Sequence, residues 1–147
     1  MILHAGLMAI RVDRAWSGAL VTGSSGAGKS DLMLRALEGG FRLVADDRTL
    51  VWTSQGRLYG RAPETLHGLI ELRGVGVLPE RALPMAPVAL IVRCEAGTED
   101  LDRLPEPEFE DVCGLAIPLL RAHALDASAP AKLRRALIHL GHRPRPA

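Results

Sequence analysis

Eight residues, Gly23-Ser24-Ser25-Gly26-Ala27-Gly28-Lys29-Ser30, constrain this chain more than any others. They follow the apolar run Ala19-Leu20-Val21-Thr22 and open a helical pattern that starts at Asp31. The spacing G-x-x-x-x-G-K-S between a strand and a helix is that of a phosphate-binding loop. Glycines let the backbone curl until successive N–H groups face phosphate oxygens, and the following helix presents its positive end there. Lys29 supplies a mobile charge for the outer phosphates, and the Ser30 hydroxyl is placed to ligate Mg²⁺. The chain has only two lysines, Lys29 and Lys132, against sixteen arginines. A chance match therefore has odds on the order of one in a thousand. Strand, loop and helix in this order point to an α/β fold, and the expectation for the whole chain is a mixed β-sheet flanked by helices.

The length of 147 residues fits one domain with a substantial core. A single catalytic domain is expected over residues 1–141, followed by a disordered tail over 142–147. The net charge of +1 supplies no global field to draw the chain to nucleic acid or an anionic membrane. Aromatic residues at 3% are too few for base-stacking surfaces. No apolar run reaches the ~18 residues of a spanning helix, and the N-terminus lacks a secretion-signal pattern. Cys94 and Cys113 lack metal-ligand spacing and are expected to be buried thiols in a reducing cytoplasm.

Loose alternation over Leu3–Val12 predicts a strand, and Gly18–Gly23 predicts its hairpin partner across a turn at 13–18. A helix is expected from Gly28 to Glu38, stopped by Gly39-Gly40. Strands follow at Phe41–Ala45, Thr49–Thr53 and Arg57–Gly60. The stretch Val88–Val92 has the composition of a fully buried strand. The acidic, proline-bearing segment Leu104–Asp111 predicts a surface loop, and Cys113–Leu120 a strand ending near Pro118. The last helix, Ala131–Leu140, has proline in its first turn and Gly141 as its stop.

Asp46-Asp47 closes an apolar strand soon after the phosphate loop, where such proteins keep a metal-directed carboxylate. On an ideal strand only one of the two would face the phosphates, but a bend at the strand end can offer both. Two such acids could divide the work, one toward metal and one toward a proton. Glu71 and Arg73 are two apart and share a face if they lie on a strand. An exposed ion pair and a functional pair are both open at this point. The residues alone give His4 a structural role.

Assembled, these pieces resemble the catalytic domain of the bacterial HPr kinase/phosphorylase family. The resemblance rests on Gly23–Ser30, on Leu43-Val44-Ala45-Asp46-Asp47-Arg48, and on Leu69-Ile70-Glu71-Leu72-Arg73-Gly74-Val75-Gly76, with His4-Ala5 beside them. It implies a phosphate-loop fold related to phosphoenolpyruvate carboxykinase and a short form that carries the catalytic domain only. It also implies a cytoplasmic protein serine kinase that uses ATP or pyrophosphate with Mg²⁺. The acceptor would be a serine of the carrier HPr, and the assembly a homo-oligomer, a hexamer in the family. Gly23, Ser24, Ser25, Gly26, Ala27, Gly28, Lys29 and Ser30 would hold the donor. Asp46, Lys29, Arg73 and His4 would act in catalysis, with His4 adjusting Asp46, and Ser30, Asp47 and Glu71 would hold metal. Where the family has a glycine- and basic-rich loop after Ile117-Pro118, this chain has Leu119-Leu120-Arg121-Ala122-His123-Ala124. That difference leaves the reverse, phosphorylase reaction open. A phosphate- or nucleotide-sensing module is the alternative function, and a small-molecule kinase the third.

Overall fold

The computed structural model describes residues 1–96 and 100–143. The strands are β1 (Ile2–Leu3), β2 (Gly6–Val12), β3 (Ala15–Gly23), β4 (Arg42–Ala45), β5 (Thr49–Ser54) and β6 (Arg57–Arg61), then β7 (Leu69–Leu72), β8 (Gly76–Pro79), β9 (Ala86–Cys94), β10 (Glu108–Val112) and β11 (Leu115–Ala122). The helices are α1 (Lys29–Glu38) and α2 (Ala129–Leu140). Nine strands form one mixed sheet along the path β1-β5-β6-β9-β3-β2-β4, with β10 and β11 branching from β9. The hairpin β7–β8 stands apart as a second small sheet.

β9 is where the sheet forks. One edge pairs with β3 in parallel. The other takes β6 at Ala86-Pro87 and β11 at Ile91–Cys94. A bulge between Gly18 and Ala19 lets the register slip, so that Ala19 faces Leu90 rather than Ala89. In consequence Ala89 and Leu90 both serve the same core, against strict alternation.

Side chains of β2 divide cleanly by parity. Met8 and Ile10 join Leu32, Met33, Ala36, Leu133 and Leu137 in a core beneath both helices. Leu7 and Ala9 join Leu20, Val51, Leu58, Ile91 and Ile117 on the opposite face, which the curling sheet encloses with its own outer strands. The helices thus share one face of the sheet rather than flanking it. Arg134 of α2 bonds the Gly39 carbonyl beyond α1 and lies over the Phe41 ring, which ties the pair together.

Four expectations need correction. The turn at 13–18 shrinks to Asp13-Arg14, both at positive φ (50° and 68°), the two-residue form that matches strand twist. Glu108–Asp111 is strand, not loop, because its acids find basic partners across neighbouring strands: Glu110 bonds Arg93, and Glu108 bonds Arg121 at 3.0 Å. β11 runs through Pro118 to Ala122, past the expected end. Of the two thiols, Cys94 is buried but Cys113 is exposed at the β10–β11 turn; both are free.

Of the expected tail, His142 and Arg143 are held against the sheet and the β2–β3 turn. The His142 amide donates to the Ala89 carbonyl at 2.6 Å, and Arg143 reaches Asp13 at 3.6 Å. Residues 144–147 lie outside the described residues. No helix among the described residues is long and apolar enough to cross a membrane.

Candidate active site

Strand direction builds the site. β9 runs parallel to β3 and to β11, while β2 runs antiparallel to both β3 and β4. The carboxyl ends of β3, β4, β9 and β11 therefore meet at one edge, together with the start of β2. Ligands of open α/β sheets bind outside such an edge. His4, Gly23–Ser30, Asp46-Asp47 and the turn after Ala122 all fall there.

The loop has the conformation its glycines allow. Gly26 and Gly28 sit at φ +82° and +88°, a region costly for residues with a Cβ. Space around Gly26 is open, with no atom within 4 Å of where a Cβ would project, so this side of the loop faces open space. Gly23 is required for a second reason: its Cβ would lie 2.5 Å from the Cys94 carbonyl oxygen at the end of β9. Lys29 donates from Nζ to the Gly23 carbonyl at 2.6 Å, across the mouth of the loop. No side chain caps the N-terminus of α1, and its first intrahelical bond runs from Leu32 N–H to Gly28 C=O. Its leading N–H groups are thus free of helical partners and carry the positive end of the dipole. Ser24, Ser25 and Ser30 are exposed, and Ala27 is buried beneath the loop.

Asp46 and Asp47 leave the end of β4 through a bend. Asp47 has φ +66°, and the Arg48 amide donates to the Asp46 carbonyl at 2.8 Å, two residues back. This is a γ-turn of the strained, positive-φ kind, and strain of this sort gathers at functional positions. The bend sends the two carboxylates to different partners. Asp46 accepts from the Glu71 amide at 2.8 Å, and Asp47 lies 3.0 Å from His4 Nε2. His4 therefore touches Asp47, not Asp46 as the resemblance implied. Burial pushes the Asp46 carboxyl above its ordinary 3.8, the Glu71 amide opposes this, and the Asp47 and Glu71 charges add to it. A half-buried carboxylate with a raised pKa suits a proton acceptor.

Glu71 sits on β7, within bonding contact of Asp46 through its amide. Arg73 is not on that strand. β7 ends at Leu72, and Arg73 is exposed in the turn before Gly74 (φ +84°). The two form no ion pair with each other, and both side chains are exposed. Among the described residues no three His, Cys, Asp or Glu side chains converge. Magnesium with a phosphate ligand asks for only one or two protein oxygens, and Ser30, Asp47 and Glu71 are oxygen donors of the kind it takes.

Sequence reasoning passed over two groups that hold this edge in place. Thr49, fully buried, donates its hydroxyl to the Ala5 carbonyl at 2.8 Å and fixes the chain beside His4. Arg35 of α1 bonds the Ala124 and Asp126 carbonyls, clamping the turn after β11 against the helix that follows the loop. A buried threonine and a helical arginine carry no motif. Only the small, β-branched Thr after Asp-Asp-Arg offers a hint.

Comparison with known proteins agrees with this architecture. A profile described as HPr Serine kinase C-terminal domain matches residues 2–84. The HPr kinase/phosphorylase of Leptothrix cholodnii is 41% identical over 112 residues, 68% of this chain and 34% of that protein. The HPr kinase/phosphorylase of Limosilactobacillus reuteri is 36% identical over 123 residues, 76% of this chain and 38% of that one. This chain thus spans little more than a third of the length of these relatives. The structure of the Hpr(Ser) kinase/phosphatase from Coxiella burnetii shares the fold, with a TM-score of 0.73 over 92% of this chain and 87% of that chain, at 24% identity. Mixed curled sheet and paired helices define a class by fold, that of α/β domains shaped like this solved neighbour. The chain belongs to the HPr kinase/phosphorylase family.

Proposed function

We propose that the chain is an ATP- and Mg²⁺-dependent protein serine kinase whose acceptor is HPr or an HPr-like carrier. One observation carries the proposal. The glycine loop with its uncapped helix and the strained Asp46-Asp47 bend meet at one sheet edge, two strands apart, about 10 Å at ordinary strand spacing. That is the reach of a terminal phosphoryl group held by the loop and presented to the acids.

Gly23–Ser30 binds the donor phosphates through backbone N–H groups and Lys29. Asp46 accepts the proton of the incoming serine hydroxyl. Asp47, oriented by His4, and Ser30 and Glu71 would hold Mg²⁺, which supplies charge neutralisation at the transferring oxygens when bound. Arg73, on its exposed turn, is free to meet phosphate oxygens. Positioning and electrostatics are the main demands of phosphoryl transfer, and this edge offers both. Family membership supports a homo-oligomer and a cytoplasmic setting.

The deciding experiment incubates the chain with purified HPr and labelled ATP, alongside Asp46→Ala and Lys29→Ala. Label on a carrier serine that disappears in both variants is the expected result. Mg²⁺-ATP binding without transfer in the wild type would favour a nucleotide sensor instead. Pyrophosphate release from phosphorylated HPr and inorganic phosphate tests the reverse reaction separately.

A further inference from the structure

The sheet order gives the bound donor a direction. Resting on the phosphate-loop reading above, the terminal phosphoryl must point from the loop toward β4, because Asp46 and Asp47 lie on that side of β3. The remainder of the donor then points the other way, past β9 toward β11. On that side the molecule has a groove of about 460 Å³ between α2 and β11. Its floor is apolar, with Leu32 from α1, Val92 from β9, Leu120 and Ala122 from β11, and Leu133 from α2, while Arg121, Lys132, Arg135 and His139 also line it. Small-molecule sites are concave, largely apolar and of roughly 300–1,000 Å³.

The groove and the glycine loop lie on either side of one segment of chain. Residues 122–126 form a shared wall. Ala122 and Asp126 line the groove, while Ala124 and Leu125 lie 3.1 Å from the point where a Cβ on Gly28 would stand. Arg35 clamps this wall to α1 through the Ala124 and Asp126 carbonyls. From β3 to β11 is again two strand spacings, about 10 Å, a reach that a ribose and base attached to the inner phosphate can cover. Asp126 at the loop end supplies an exposed carboxylate of the kind that accepts hydrogen bonds from ribose hydroxyls.

We infer that the groove between α2 and β11 receives the nucleoside of the phosphoryl donor. The segment Leu120–Asp126 then sets the preference for a nucleotide over a bare polyphosphate. Ala122 matters most, because a larger side chain there would fill the groove without touching the loop glycines or the acids.

The test titrates the full chain with Mg²⁺-ATP and with Mg²⁺-tripolyphosphate, which keeps the phosphates and lacks the nucleoside. The wild type should bind ATP tighter by about ten-fold or more. Ala122→Trp should abolish that difference and leave tripolyphosphate affinity unchanged. Equal affinities in the wild type, or an ATP advantage that survives the substitution, overturn the groove assignment while leaving the phosphate site intact. Binding of neither ligand overturns the donor reading itself and the groove with it. If Ala122→Trp loses both ligands, photolabelling of the wild type by 8-azido-ATP decides. Label within residues 120–140 supports the groove, and label elsewhere overturns it.

Discussion

In the proposed transfer Asp46 is asked to be buried enough to hold a proton tightly and exposed enough to receive one. Burial raises its pKa above the ordinary 3.8, so its basic form is lost at a higher pH on acidification than an unperturbed aspartate would dictate. Phosphotransfer to HPr should therefore show an acid limb displaced upward, and that limb should vanish in Asp46→Asn. Stability has the opposite sign. A raised carboxyl contributes fully below 3.8 and loses its contribution as pH rises through the folded value. At neutral pH Asp46→Asn should thus raise Tm, while lowering transfer by roughly 10²–10⁴-fold. A lower Tm measured by calorimetry would refute the claim that ionised Asp46 is a burden on the fold. Lys29→Met removes a charged donor from the loop and should weaken Mg²⁺-ATP by about 10–100-fold, the worth of one charge-assisted hydrogen bond, with Tm little changed. Cys94 is a different case. Its thiol, enclosed at the end of β9, is pushed up to about 11 chiefly by burial, so it should resist alkylation while the exposed Cys113 reacts.

Among the elements, the hairpins show what local sequence reveals. Gly23–Ser30 and the apolar run before it were legible as strand, glycine loop and helix because that spacing of residues belongs to such a unit. Asp46-Asp47 was legible as a strand end, and the bend that separates the two carboxylates was foreseeable in kind. The partner of His4 was not. Its direction is set by the Thr49–Ala5 bond, a contact between residues 44 apart in the chain. β10 was hidden for a related reason: its acids read as solvated until Arg93 and Arg121 are known to lie across from them. The tight β10–β11 turn explains itself only in three dimensions. Cys113 and Gly114 both adopt positive φ (52° and 84°), a geometry that favours Asn-Gly. Cys113→Asn should stabilise the protein by about 0.5 kcal/mol, since asparagine tolerates the left-handed region better. Chemical denaturation would reveal a higher midpoint with the slope unchanged.

For the whole molecule, placing both helices on one face and closing the other by curling the sheet could not be read from periodicity. Amphipathic patterns specify that a face is buried but not against which neighbour. Leu133, at 1% exposure between α1 and the sheet, joins the two helices to the core. Leu133→Ala should cost about 3 kcal/mol through lost burial and the cavity left behind, lowering Tm by roughly 10 °C. The fork at β9 has a further consequence for how the chain comes together. Its pairing with β3 joins Gly18 to Val88, seventy positions later, and distant parallel contacts form late. The family profile ends at residue 84, two residues before β9 begins. A fragment stopping there would retain the glycine loop and both aspartates, yet leave β3 and β6 without their common neighbour. Such a fragment should show collapsed amide dispersion by NMR, because the scaffold that holds the chemistry in place is not complete until a nascent chain has delivered its ninth strand.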